Sequence, residues 1–115
     1  MAKYAASLTI PSLTPIETPV NTSISIHEPF ISGIEIYFPP GCAGLAWVAI
    51  YLNGKILSPA SGSSEFYHHG EGPINWIGKI RAVAGESDSI LEIRGYNEDD
   101  TYPHTPIIRI DTEVN

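Results

Sequence analysis

One cysteine, six basic side chains and no long apolar run set the first limits on what this 115-residue chain can be. The single thiol, Cys42, excludes an intramolecular disulfide, so the fold rests on packing and hydrogen bonds alone. It lies between Gly41 and Ala43 with no basic neighbour in the sequence, so nothing local activates the sulfur. Lys3, Lys55, Lys79, Arg81, Arg94 and Arg109 are scattered and outnumbered by thirteen acids, for a net charge of −7. That balance argues against nucleic-acid binding by phosphate neutralisation and against attraction to an anionic membrane. The most apolar stretch, Cys42 to Leu52, falls well short of the roughly 20 residues of a membrane helix. The first twenty residues are broken by Pro11, Pro15 and Pro19 and lack an unbroken apolar run, so no secretory signal is expected from them. Charged residues make up only 17% of the chain, against about 25% in ordinary soluble proteins, so part of the surface is expected to be covered by other chains or ligands.

Helical patterning is also missing. No window of eleven residues combines helical spacing with caps, whereas short alternating segments recur with turn chemistry between them. Thr22 to Ile26, Ser32 to Phe38, Ala46 to Leu52, Lys55 to Leu57, Ile74 to Ile77, Lys79 to Val83, Ile90 to Tyr96 and Thr105 to Ile110 read as strands, the last starting at an edge or bulge because of Pro106. Asn53-Gly54 is a type I′ turn signal, Gly85 to Ser89 reads as a turn, and Ser58 to Gly72 reads as a polar loop with at most one short strand. The expectation is an all-β antiparallel β-sandwich, jelly-roll-like, over residues 22–115, preceded by an extended proline-rich N-terminal arm over residues 1–21. That arm carries Leu8, Ile10, Leu13 and Ile16, more apolar side chains than a free tail holds. Either Tyr4 to Ile10 forms a first edge strand and the arm lies on its own domain, or the arm docks on a neighbouring subunit.

The chain is expected to turn about Ile34 to Leu52. Across the loop at Cys42, an antiparallel hairpin sets Phe38 opposite Ala46, Tyr37 opposite Trp47, Ile36 opposite Val48 and Ile34 opposite Ile50. One face is then core and the other carries Tyr37, Trp47 and Tyr51, too apolar for a solvent face and too rich in polar tips for a core. Three occupants suit such a face: a protein interface, a sugar ring stacked on an aromatic platform, or the chain's own arm. Along Ile90 to Tyr96, Leu91, Ile93 and Gly95 are expected to share one face, with Glu92, Arg94 and Tyr96 on the other.

Catalytic and metal signatures are absent from the pattern. His68 and His69 are adjacent and point to opposite faces of a strand, and no His-x-His pair is present. Ser61 to Ser64 lack a nucleophile elbow. In the acidic stretch, Asn97, Asp99 and Asp100 are candidate calcium ligands without EF-hand spacing. The competing assignment is a turn in which Asn97 and Asp99 bond backbone amides while Tyr96 and Tyr102 pack over it. No cofactor is expected.

At FPPGCAGL, residues 38–45, and GYNEDDTYPHT, residues 95–105, the sequence resembles small β-sandwich proteins of tailed phages that decorate or cement virion shells. The resemblance implies a non-enzymatic structural role in a repetitive assembly, in the virion or soluble in the cytoplasm. The expected contacts are a homo-oligomer formed through the arm and the aromatic face, and a capsid or other protein lattice. The alternative is a carbohydrate-binding β-sandwich module that uses the aromatic platform.

Overall fold

The computed structural model describes residues 2–58, 68–82 and 89–114, and among them every regular element is a strand. These are β1 (Ala2–Ser7), β2 (Val20–Ile26), β3 (Phe30–Phe38), β4 (Ala46–Leu52), β5 (Lys55–Ser58), β6 (His68–His69), β7 (Gly72–Arg81), β8 (Ser89–Asn97) and β9 (Ile107–Glu113). One sheet has the order β1-β9-β3-β7 and the other β2-β8-β4-β5, with β6 on the same border of β4 as β5. All pairings are antiparallel. The pairings nest: β4 with β5 and β6, β3 with β7, β2 with β8, and β1 with β9. This is the jelly-roll order of a β-sandwich. No helix among the described residues is long and apolar enough to cross a membrane.

The fold-back at the centre of this nest is the Asn53-Gly54 turn. Both residues have positive φ, 49° and 89°, as a type I′ turn requires, and the Asn53 side chain accepts from the Ile90 amide at 2.9 Å. Alternation then assigns the faces. Ile34, Ile36 and Phe38 of β3, Val48 and Ile50 of β4, Leu91 and Ile93 of β8, and Ile108 and Ile110 of β9 all turn inward and are buried between the sheets.

The hairpin expected between β3 and β4 does not form. Their inward faces are as read, but β3 pairs with β7 and β9 while β4 pairs with β8, so the two strands belong to opposite sheets. Residues 39–45 are an arch between layers, not a hairpin loop. Gly41, Ala43 and Gly44 adopt φ of 100°, 51° and 75°, and Leu45 N–H closes onto Cys42 C=O at 2.8 Å. The Glu71 carboxylate fills the resulting nest, accepting from Gly41 N–H at 3.2 Å and Ala43 N–H at 2.9 Å. Ile74 to Ile77 and Lys79 to Arg81 merge into the single strand β7, with an irregular register opposite Ile31 and Gly33. The Gly85 turn, the serines at 61–64 and Phe66-Tyr67 lie outside the described residues.

The N-terminal stretch lies on its own domain. Strand β1 pairs along β9, Leu8 N–H donates to Pro106 C=O, and Ile10 exchanges both backbone bonds with His104. Leu8 and Ile10 close one end of the core over Gly95, where an added Cβ would come within 2.6 Å of Ile10 Cδ1, 3.0 Å of Leu8 Cδ2 and 3.1 Å of the Trp47 carbonyl oxygen. Gly95→Val is therefore expected to lower stability by about 1–3 kcal/mol through overpacking. An unchanged urea midpoint would mean that Leu8 and Ile10 do not pack there.

Candidate functional site

The outer face of the second sheet is built from β4 and β8 side by side. The register sets Tyr96 opposite Trp47 and Trp47 opposite His69, so three rings occupy one rung across three strands. Trp47 stacks on His69 with centroids 3.7 Å apart and planes at 22°, and on Tyr96 at 5.4 Å and 8°. Its indole N–H donates to Glu98 Oε1 at 2.7 Å. Farther along the face, the Arg94 guanidinium covers the Tyr51 ring at 4.1 Å and pairs with Glu92 at 2.7 Å. Tyr51 is consequently buried, and its hydroxyl finds no hydrogen-bond partner among the described residues.

This arrangement differs from the expected platform of Tyr37, Trp47 and Tyr51. Tyr37 is on β3 and faces outward from the other sheet, between Ile107 and Pro73. Tyr51 lies beneath Arg94. Trp47 keeps its outward position, but both ring faces are taken, and a sugar stacks on a face. Tyr96, His69 and Glu98 complete the site. The alternation of β8 had already turned Tyr96 and Arg94 outward, but no sequence pattern showed that β8 is the neighbour of β4.

A strap, residues 8–19, borders this face and is pinned by the acidic turn. Asn97, almost wholly buried, donates through Nδ2 to Ile10 C=O at 3.2 Å and Tyr102 C=O at 3.0 Å, and its Oδ1 accepts from Asp99 N–H at 2.9 Å. Asp99 Oδ1 accepts from Thr101 N–H at 2.9 Å and Tyr102 N–H at 3.2 Å, while Oδ2 meets His104 Nε2 at 2.8 Å. Asp100 accepts from the Thr101 hydroxyl at 2.9 Å. The calcium assignment fails on this geometry. The oxygens of Asn97 and Asp99 are spent on the turn, and no group of three metal-binding side chains is gathered among the described residues.

The strap divides the four apolar residues read from its sequence into two kinds. Leu8 and Ile10 belong to the core and are withdrawn from any neighbour, which corrects their place in an interface. Leu13 is 64% exposed and Ile16 is 36% exposed, and together with Thr14, Tyr96 and Glu98 they line a groove of about 370 Å³. Leu13 adopts φ 56°, a left-handed conformation rare for a side chain of its size, and its N–H is fixed to Asp99 C=O at 2.9 Å. Tyr102, 65% exposed, projects from the same acidic turn.

Elsewhere the described residues offer a buried thiol, two adjacent histidines and a trough on the other sheet. Cys42 is fully buried, and burial followed by the nearby Glu71 charge pushes its thiol pKa up. Burial lowers the pKa of His68, which sits on β6 opposite Val48 while His69 lies against Trp47. The outer face of the first sheet holds a trough of about 730 Å³ above Gly33, beside the Arg109–Glu35 ion pair at 2.6 Å.

Two outcomes test the acidic turn. The backbone bond from Thr101, then the His104 contact, holds the Asp99 pKa below the ordinary carboxylate value. Its contribution to stability is thus complete above about pH 4 and is lost as pH falls through the folded value. Asp99→Asn should lower stability at neutral pH and flatten the acid limb of the stability curve. A mutant curve parallel to wild type would remove Asp99 from that role. Melting should also be unchanged by chelator or added calcium, and a calcium-dependent rise would restore the metal site. In comparison with known proteins, no family model and no curated protein matches this chain.

Proposed function

We propose that this chain is a non-enzymatic structural protein that acts by self-association, through the exposed part of the strap and the aromatic border beside it. Leu13 carries the argument. Holding a leucine in the left-handed region costs about 1–2 kcal/mol, and leaving its side chain in water forgoes about 1.5–3 kcal/mol of burial. Its amide bond to Asp99 locks both conditions in place. Ile16, Tyr96 and Tyr102 extend the apolar surface around it, and a contact that buries them returns the missing term. The low charge content and the two loops resembling phage decoration proteins support a repetitive assembly, such as a virion shell, as the setting. The stacking of both Trp47 faces counts against the carbohydrate-binding alternative.

The test is the solution mass of the full chain by light scattering. The expected result is a defined multiple of 12.5 kDa. Leu13→Gly, which suits the positive φ, should leave thermal stability of the protomer within about 1 kcal/mol while weakening association. A monomeric wild type at all concentrations would sink the proposal, and an unaffected Leu13→Gly oligomer would remove the strap from the contact.

A further inference from the structure

The open border of β2 offers a more specific contact. Backbone direction along β8 can be read from its end: Asn97 N–H donates to Thr14 on the β2 side, and Glu98 N–H donates to Leu45 on the β4 side. Residues two apart point the same way, so Gly95, Ile93, Leu91 and Ser89 bond β2 through Val20, Thr22, Ile24 and Ile26. The intervening Asn21, Ser23 and Ser25 aim their N–H and C=O groups away from the sheet, and among the described residues β2 pairs with β8 alone.

Other edge strands are guarded. Strand β1 carries Lys3, β5 is only four residues long and shifts register against β4, and β6 has only two residues. Strand β7 has Pro73, Lys79, Arg81 and an irregular register. Strand β2, VNTSISI, has seven residues, no charge, no proline and no register shift.

We infer that β2 pairs antiparallel with β2 of a second copy of this chain about a two-fold axis at Ser23, joining two second sheets into one. This rests on the self-association proposed above and names its partner and register. An axis at Ser23 sets Ser23 against itself and Asn21 against Ser25, so the outward N–H and C=O groups of these residues all find partners. On the core-side face it sets Thr22 against Ile24 and Val20 against Ile26, β-branched pairs without like charges. A second copy fits where a charged peptide does not, because neither face of β2 offers a countercharge.

Cysteine cross-linking reads the register directly. Ser23→Cys places two thiols across the axis with Cα atoms about 5.5 Å apart, within disulfide reach. Ser25→Cys places them about 14 Å apart, out of reach. Both sites are exposed, and native Cys42 is buried. The expected result on mild oxidation of the full chain is a covalent dimer several-fold more abundant for Ser23→Cys than for Ser25→Cys. Ser23→Lys, which sets like charges together, should halve the mass of the associated species. An oligomeric wild type with no Ser23→Cys cross-link and an unchanged Ser23→Lys mass would overturn β2 pairing and leave self-association standing. Preferential Ser25→Cys cross-linking would overturn the register, and a strictly monomeric wild type would overturn both proposals.

Discussion

One reversal of the chain at Asn53-Gly54 determines the neighbours of nearly every strand. Each strand before the turn pairs with the strand at a similar remove after it, so β4, β3, β2 and β1 meet β5 and β6, β7, β8 and β9 in turn. The resulting double ribbon is then rolled. Rolling brings β3 beside β9 and β4 beside β8, and closes the two inward faces on each other. Pairs so far apart in sequence form only after large loops have been closed, which places the fold at the slow end for its size. Rolling also leaves the sandwich with open borders, which a closed barrel does not have.

The strap depends on a second constraint, the Asn97 side chain. Its carboxamide binds the strap at Ile10, the returning chain at Tyr102 and the turn at Asp99, while its own amide bonds Thr14. A buried amide with this many partners fixes relative positions, because each broken bond leaves a polar group unpaired in the core. Leu13 is one residue from Thr14 and is tied to Asp99, so its left-handed backbone is determined from both sides. The side chains of Asn97 and Asp99 thus hold the shape of an apolar surface.

Alternation made the faces of β3, β4 and β8 legible from sequence, and the Asn-Gly pair made the turn legible. What alternation does not contain is the identity of the neighbour. Pro39-Pro40-Gly41 reads equally as a hairpin loop or as an arch, and the choice depends on Glu71, thirty residues on, capping the amides of Gly41 and Ala43. With the wrong neighbour, Tyr37 joined Trp47 and Tyr51 on one face. With the right one, Tyr96 and His69 take its place. The strap posed a related difficulty. Leu8, Ile10, Leu13 and Ile16 look alike in a proline-rich stretch without period, and the Ile10–His104 bridge separates core from surface among them.

The two surfaces argued for association belong to one border. Val20 pairs with Gly95, and Thr14 bridges Asn97 two residues farther along β8, so the strap continues the line of β2 on the same side of the second sheet. Leu13 and Ile16 therefore flank the end of the unguarded edge. The two parts supply different things. Edge hydrogen bonds replace bonds to water and contribute little net affinity, but they impose direction and register. Apolar burial is indifferent to register but supplies most of the driving force. A border that joins them can specify a partner and hold it, and β2 can then remain free of charge because the strap beside it limits which edges approach.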